Sequence, residues 1–262
     1  MSPTTRRGLL LAALILLGWL ATLVVLLSHP PGQLPPALLV LAVLARTFLQ
    51  TGLFIVGHDA MHRVLVPGSR RWNDGLGRLV LLLYAALPYG RCREKHHQHH
   101  HRPGSAEDPD FHAPGRSSVL AWYGRFMGGY LRPLPLTLLV SAWGGLALAT
   151  SVVAVALICV LPLLLSSLQL FLVGTYLPHR GQGEGNDACQ VRGEAQAEDG
   201  LRSISLALPE GLSLLACYHF GYHREHHRAP QLAWHQLPQE YRRGLLPAPL
   251  ALTTAHAVAS GT

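Results

Sequence analysis

Lys95-His96-His97-Gln98-His99-His100-His101 is the densest run of imidazoles in this chain, and two further clusters flank it in sequence. These are His58-Asp59-Ala60-Met61-His62 and His219-Phe220-Gly221-Tyr222-His223-Arg224-Glu225-His226-His227. Eleven of the sixteen histidines lie in the three clusters, each just beyond an apolar run. Residues three and four apart share one face of a helix, so HxxxH and HxxHH spacings aim two or three ring nitrogens the same way. Three such sets offer more donors than one ion takes. They point to two metal ions held where several helix ends meet.

Composition sets the solvent in which those helices sit. Of 262 residues, 49% are hydrophobic and 13% charged, about half the charge of an ordinary soluble domain. A membrane protein is expected. The net charge of +7 comes from twenty arginines and Lys95. In so apolar a chain it fits anionic lipid headgroups, and no basic recognition helix speaks for nucleic acid. Cys92, Cys159, Cys189 and Cys217 have neither disulfide nor CxxC metal spacing and read as packing residues.

The apolar run Leu9 to Leu27 is long enough to span a bilayer. It is too long for a signal peptide, and no small-x-small cleavage site follows. A second helix is expected from about Ala37 to Gly57, delivering His58 and His62 at its end. Arg46, Thr47, Gln50 and Thr51 lie inside it; an arginine there is either functional or bonded to neighbouring carbonyls. Leu76 to Pro88 is apolar but short, so a re-entrant or interfacial segment is expected. Val119 to Tyr130 carries Trp122, Tyr123, Phe126 and Tyr130 at helical spacing, which suits an interfacial helix. Leu134 to Leu177 is 44 residues without a charge, about 66 Å as a helix and twice a ~30 Å hydrocarbon core. It reads as two helices turning near Cys159 to Pro162. Gly181 to Gly200 is polar and the least structured stretch, Ile204 to Phe220 is mostly apolar, and residues 243–262 form a loose tail of what reads as a single domain.

Four crossings bring the three clusters and His179 to one side of the membrane, together with every arginine and lysine except Arg46. The positive-inside rule makes that side cytoplasmic. Imidazole suits zinc, copper, iron or nickel, so ligand type does not name the ion. A His-rich metal transporter is the rival of a different class. It is disfavoured because the apolar runs themselves lack His, Asp and Glu for an ion path.

The order HxxxH, HxxHH, HxxHH resembles the membrane-bound di-iron desaturase and hydroxylase superfamily. Phe54-Ile55-Val56-Gly57-His58-Asp59-Ala60-Met61-His62 is similar to the first box of the bacterial β-carotene ketolases. The likeness continues through Asp108-Pro109-Asp110-Phe111-His112, Thr175-Tyr176-Leu177-Pro178-His179-Arg180-Gly181 and the third cluster to Leu237-Pro238, covering Arg46 to Pro238. The resemblance implies an all-α integral membrane protein of about four transmembrane helices under a cytoplasmic His-rich cap. It implies two irons held by His58, His62, His96, His99, His100, His179, His223, His226 and His227, with His97 and His219 as less certain members. Asp59, Asp108, Asp110 and Glu225 would accept the second N–H of ligand imidazoles, and Thr175 would share the face of His179. His29, His235 and His256 have no assigned role.

The implied activity converts the C4 methylene of a β-ionone ring to a ketone with O2. Electrons would come from a separate donor of ferredoxin type, since no GxGxxG dinucleotide fingerprint is present. A carotenoid hydroxylase or fatty-acyl desaturase would share the same boxes. One departure lies between Gly181 and Ser205, where ketolases carry a His shortly before an Arg-Ser pair; here Asp199-Gly200-Leu201 precede Arg202-Ser203, and this long loop is expected to lie outside the site.

Overall fold

The architecture follows from how each apolar run is started and stopped. A computed structural model describes residues 1–112, 118–180 and 201–245; the expectations for the 181–200 loop, for Cys189 and for the tail beyond residue 245 lie outside them. Helix α1 (Pro3–Leu27) starts at Pro3 rather than Leu9, because Ser2 caps it by accepting the Thr5 N–H and Pro3 occupies its first turn. Helix α2 (Pro36–Met61) likewise opens on a proline, and its second half, from Thr47 to Met61, is buried almost throughout. It is the central helix, with α1 and the helical stretches Arg70–Ala85 and Val152–His179 packed around it.

Helix α3 (Arg70–Ala85) is one continuous amphipathic helix lying along α2, not a re-entrant loop. Its sixteen residues reach only about 24 Å. The two helices touch closely at Gly77, where a Cβ would lie 2.8 Å from that of Ala60. After α4 (Tyr89–His101) and α5 (Val119–Tyr130), the chain bends by 88° into α6 (Pro133–Ala149).

The turn expected near Cys159–Pro162 is corrected: the break lies at Thr150 and Ser151, and α7 then runs unbroken from Val152 to His179. Ser151 caps α7 by accepting the Ala154 N–H at 3.0 Å. Pro162 survives inside α7 because Ala156–Val160 is wound as a π-helix, which resets the hydrogen-bond register just before the proline. A second π segment, Leu172–Tyr176, precedes His179.

The α-helical donor to the Ile158 carbonyl would be residue 162, and proline has no N–H. Arg46 supplies one instead, its Nε donating to Ile158 O at 3.2 Å. The same guanidinium donates to Trp19 O at 2.6 Å and Thr22 Oγ1 at 3.2 Å and lies over the Trp19 ring. Arg46 is 1% exposed, so it is a clasp joining α1, α2 and α7.

Three helices, α1, α2 and α7, are long and apolar enough to cross a membrane, and the bent α5–α6 pair offers a fourth span. The protein is an all-α integral membrane protein, with no strand among the described residues. Beyond α7 follow short helices α8 (Glu210–Cys217), α9 (His223–Arg228) and α10 (Leu237–Leu245). Cys92, Cys159 and Cys217 are buried and unpaired, as packing residues should be.

Candidate metal centre

Four helices meet at one place, and each brings histidines to it. Helix α2 carries His58 in its last turn and His62 as its C-cap, α4 carries His96, His99 and His100, α7 ends on His179, and α9 carries His223, His226 and His227. These nine converge in two groups. One holds His58, His62, His96, His100 and His226, the other His99, His179, His223 and His227, with the ring nitrogens of each group within 4.8 Å of one another. The groups adjoin, since the His100 and His227 rings stack at 4.3 Å.

Within the first group the Nε2 atoms of His62 and His96 are 2.7 Å apart, and those of His100 and His226 are 2.9 Å apart. In the second, the Nε2 atoms of His99 and His227, His227 and His223, and His223 and His179 are separated by 3.1, 3.0 and 2.9 Å. Two nitrogens bonded at about 2.1 Å to one ion lie about 3.0 Å apart when they subtend a right angle. Both ring nitrogens of His58 are buried with no hydrogen-bond partner, and a bound cation removes that cost at the one it meets. The donor set and its spacing fit two cations.

Burial, then the neighbouring imidazoles, hold His96, His100, His223, His226 and His227 well below the ordinary histidine value. His62 is pushed down to about 3 by burial and by His97. These rings are therefore neutral at physiological pH, the form that binds metal. His99 differs. Burial presses its imidazolium down, but the hydrogen bond and charge of Asp108 outweigh that and leave it above the ordinary value.

Asp108 accepts from His99 Nδ1 at 2.9 Å and is itself fixed by the N–H groups of Gly104 and Asp110. Such a carboxylate orients the ring and aims Nε2 into the site. The carbonyl of Arg202 does the same for His179, accepting from Nδ1 at 2.8 Å; a backbone acceptor leaves no trace in residue type. The other expected acidic partners have different hydrogen-bond donors in this structure. Asp59 lies 3.9 Å from His58 Nδ1 and accepts instead from the Trp234 N–H. Asp110 accepts from the Tyr130 hydroxyl and Glu225 from that of Ser205.

His97 lies outside both groups, half-buried, with Nε2 donating to Met61 O at 3.1 Å. His219 stands apart too, buried between the rings of Tyr222 and Trp234. Thr175 lines the cavity beside the second group. His29 is exposed and His235 half-buried, both away from the cluster; His256 lies outside the described residues.

Three successive cavities share walls and lead to the imidazoles. The outermost, about 300 Å³, lies beside Trp19, Arg46 and Cys159 and shares Tyr84, Leu139, Trp143 and Leu163 with an apolar cavity of about 170 Å³. That one shares Phe54, Phe126, Tyr130 and Leu170 with an inner space of about 40 Å³ bordered by His58, His96, His99 and His223. The aromatic face of α5, read from sequence as interfacial, is thus a wall of this corridor. Phe220 closes the inner end against His58, and a Cβ on Gly174 would come within 2.8 Å of it.

The fatty acid desaturase family model matches residues 34–255. A "Beta-carotene ketolase" from Paracoccus sp. strain N81106 is 37% identical over 252 residues, covering 92% of this chain and 94% of that protein. The chain belongs to the β-carotene ketolase family. A second ketolase of that name, from Paracoccus sp. strain PC1, is 37% identical across 89% of this chain and 92% of its own length. The family extends to a "Zeaxanthin 4-ketolase" of Chlamydomonas reinhardtii, 37% identical over 77% of this chain and 44% of that protein. The two histidine groups are this chain's candidate metal centre.

Proposed function

We propose that this protein is a carotenoid 4-ketolase, converting the C4 methylene of β-ionone rings to a ketone with O2 and external electrons. The observation that carries the reading is the junction of two all-histidine groups with an apolar corridor, in a chain of the ketolase family. His58, His62, His96, His100 and His226 hold one iron, and His99, His179, His223 and His227 hold the other. Bound iron supplies the reductive activation of O2.

The remaining work falls to the chain. The apolar corridor takes a ring from the bilayer, and Phe54, Phe126 and Leu170 hold it end-on toward the imidazoles. Asp108 keeps the His99 Nε2 lone pair directed inward. Phe220 and the buried aromatic wall exclude bulk water. Two successive hydroxylations at C4 give a geminal diol, which loses water to leave the carbonyl. The active site faces the cytoplasm, where the arginine-rich loops lie, and a soluble one-electron carrier of ferredoxin type reduces it there.

Expression in a bacterium that accumulates β-carotene, followed by mass analysis of the pigments, tests the proposal. Products in which two ring hydrogens are replaced by one oxygen, absent with His99→Ala, support it. Hydroxylated products alone move the protein to carotenoid hydroxylation. Unchanged pigment from folded, iron-loaded protein removes the substrate assignment.

A further inference from the structure

The inner cavity is not wholly apolar. Besides the imidazoles it is bordered by Asp110 and Tyr130, and Asp110 is only 7% exposed. Among the described residues the carboxylate accepts from one donor, the Tyr130 hydroxyl, at 2.8 and 3.0 Å to its two oxygens. A carboxylate offers about four lone-pair sites, and among the described residues no imidazole or backbone N–H takes the others. Yet the residue is rigidly held. Its N–H donates to Asp108 and its carbonyl accepts from Trp122 Nε1, each at 2.9 Å, while the Lys95 ammonium lies over the Tyr130 ring at 4.7 Å. Within the short Asp108-Pro109-Asp110 segment, one carboxylate thus steadies His99 and the other lines the space where a ring would react.

An under-satisfied buried carboxylate facing a hydrocarbon ring is unfavourable. Facing a ring hydroxyl, it gains a charge-assisted hydrogen bond. A hydroxyl on C3 is two bonds from the reacting C4, so whatever receives it must line this same pocket.

Building on the ketolase reading, we propose that Asp110, braced by Tyr130, receives the C3 hydroxyl of a ring already hydroxylated there. Asp110 then sets how strongly a 3-hydroxylated ring is preferred over that of unsubstituted β-carotene.

The test is competition between equimolar zeaxanthin and β-carotene for the iron-loaded, detergent-solubilised full chain. The readout is the ratio of 4-oxo products from the two pigments. Wild type ketolates both. Asp110→Val lowers the zeaxanthin-to-β-carotene ratio at least tenfold, and Asp110→Asn, which keeps the shape but loses the charge, lowers it about threefold. If Asp110→Val does not fold, the asparagine variant decides. A ratio unchanged in the variants that fold, or a wild type that ketolates β-carotene but leaves zeaxanthin untouched, overturns the assignment to Asp110 while leaving the ketolase reading standing. No oxo product from either pigment overturns both.

Discussion

Arg46 Nε donates to the carbonyl of Ile158 across 112 positions of sequence, at the carbonyl that Pro162 leaves without its helical donor. A proline in one transmembrane helix is thereby matched by an arginine in another. Replacing Arg46 by methionine strands the carbonyl of Ile158 in an apolar interior, while that of Trp19 keeps the Thr22 hydroxyl. The expected loss is about 3 kcal/mol of stability, read as a lower midpoint of thermal unfolding in detergent. Lysine does not restore it, since one ammonium cannot reproduce the guanidinium fork.

Asp108 is the carboxylate that orients a candidate ligand. Asp108→Asn removes the charge that holds His99 Nδ1–H, so affinity at the group of four falls about 10- to 100-fold. The group of five is not touched by Asp108. Metal titration of the variant therefore finds one tight and one weakened site per chain, where the parent has two tight sites. Equal weakening of both contradicts the division into two groups.

The imidazoles also fix how the metal-free protein responds to acid. His62, His96, His100, His223, His226 and His227 have folded values below their ordinary one, through burial first and neighbouring rings second. As pH drops below about 6.5 the unfolded chain takes up protons that the folded chain refuses, so stability falls. His99 runs the other way. Its raised value contributes stability that is complete below about 6.5 and is lost as pH rises through the folded value, but it is one ring against six. Circular-dichroism melts of the metal-free protein should shift steeply downward between pH 7 and 5, and iron loading should suppress the shift.

Leu164 lines the middle cavity while remaining 53% exposed, so a larger side chain fits there without disturbing the core. Leu164→Trp is expected to lower ketolation of β-carotene at least tenfold with iron content unchanged. Full activity would show that the substrate reaches the imidazoles by another route.

How much of this was legible beforehand depends on the kind of signal. Helical spacing announces His96, His99 and His100 as one face, and their meeting with His58, His179 and His223 follows once each sits at a helix end. The three or four candidate spans were legible from length and apolarity. The break within the run Leu134 to Leu177 was not, because Pro162 suggested a turn that a π segment absorbs, and the true signal was the cap at Ser151. Acid partners were harder still. Asp108 and Asp110 are two positions apart and chemically alike, yet one meets an imidazole and the other a cavity. Arg46 looked equally like a functional charge, until the carbonyl orphaned by Pro162 supplied its partner.

The most direct test of the account is the source of the new oxygen. Purified, iron-loaded protein is given β-carotene, a chemical or ferredoxin reductant and ¹⁸O2, and the ketone is examined by mass spectrometry once the two hydroxylations are complete. Both hydroxyls of the geminal diol come from O2, so whichever leaves, the C4 ketone carries ¹⁸O. An unlabelled ketone that instead takes up label from H2¹⁸O during turnover, or a labelled product that is not oxidised at C4, would contradict it.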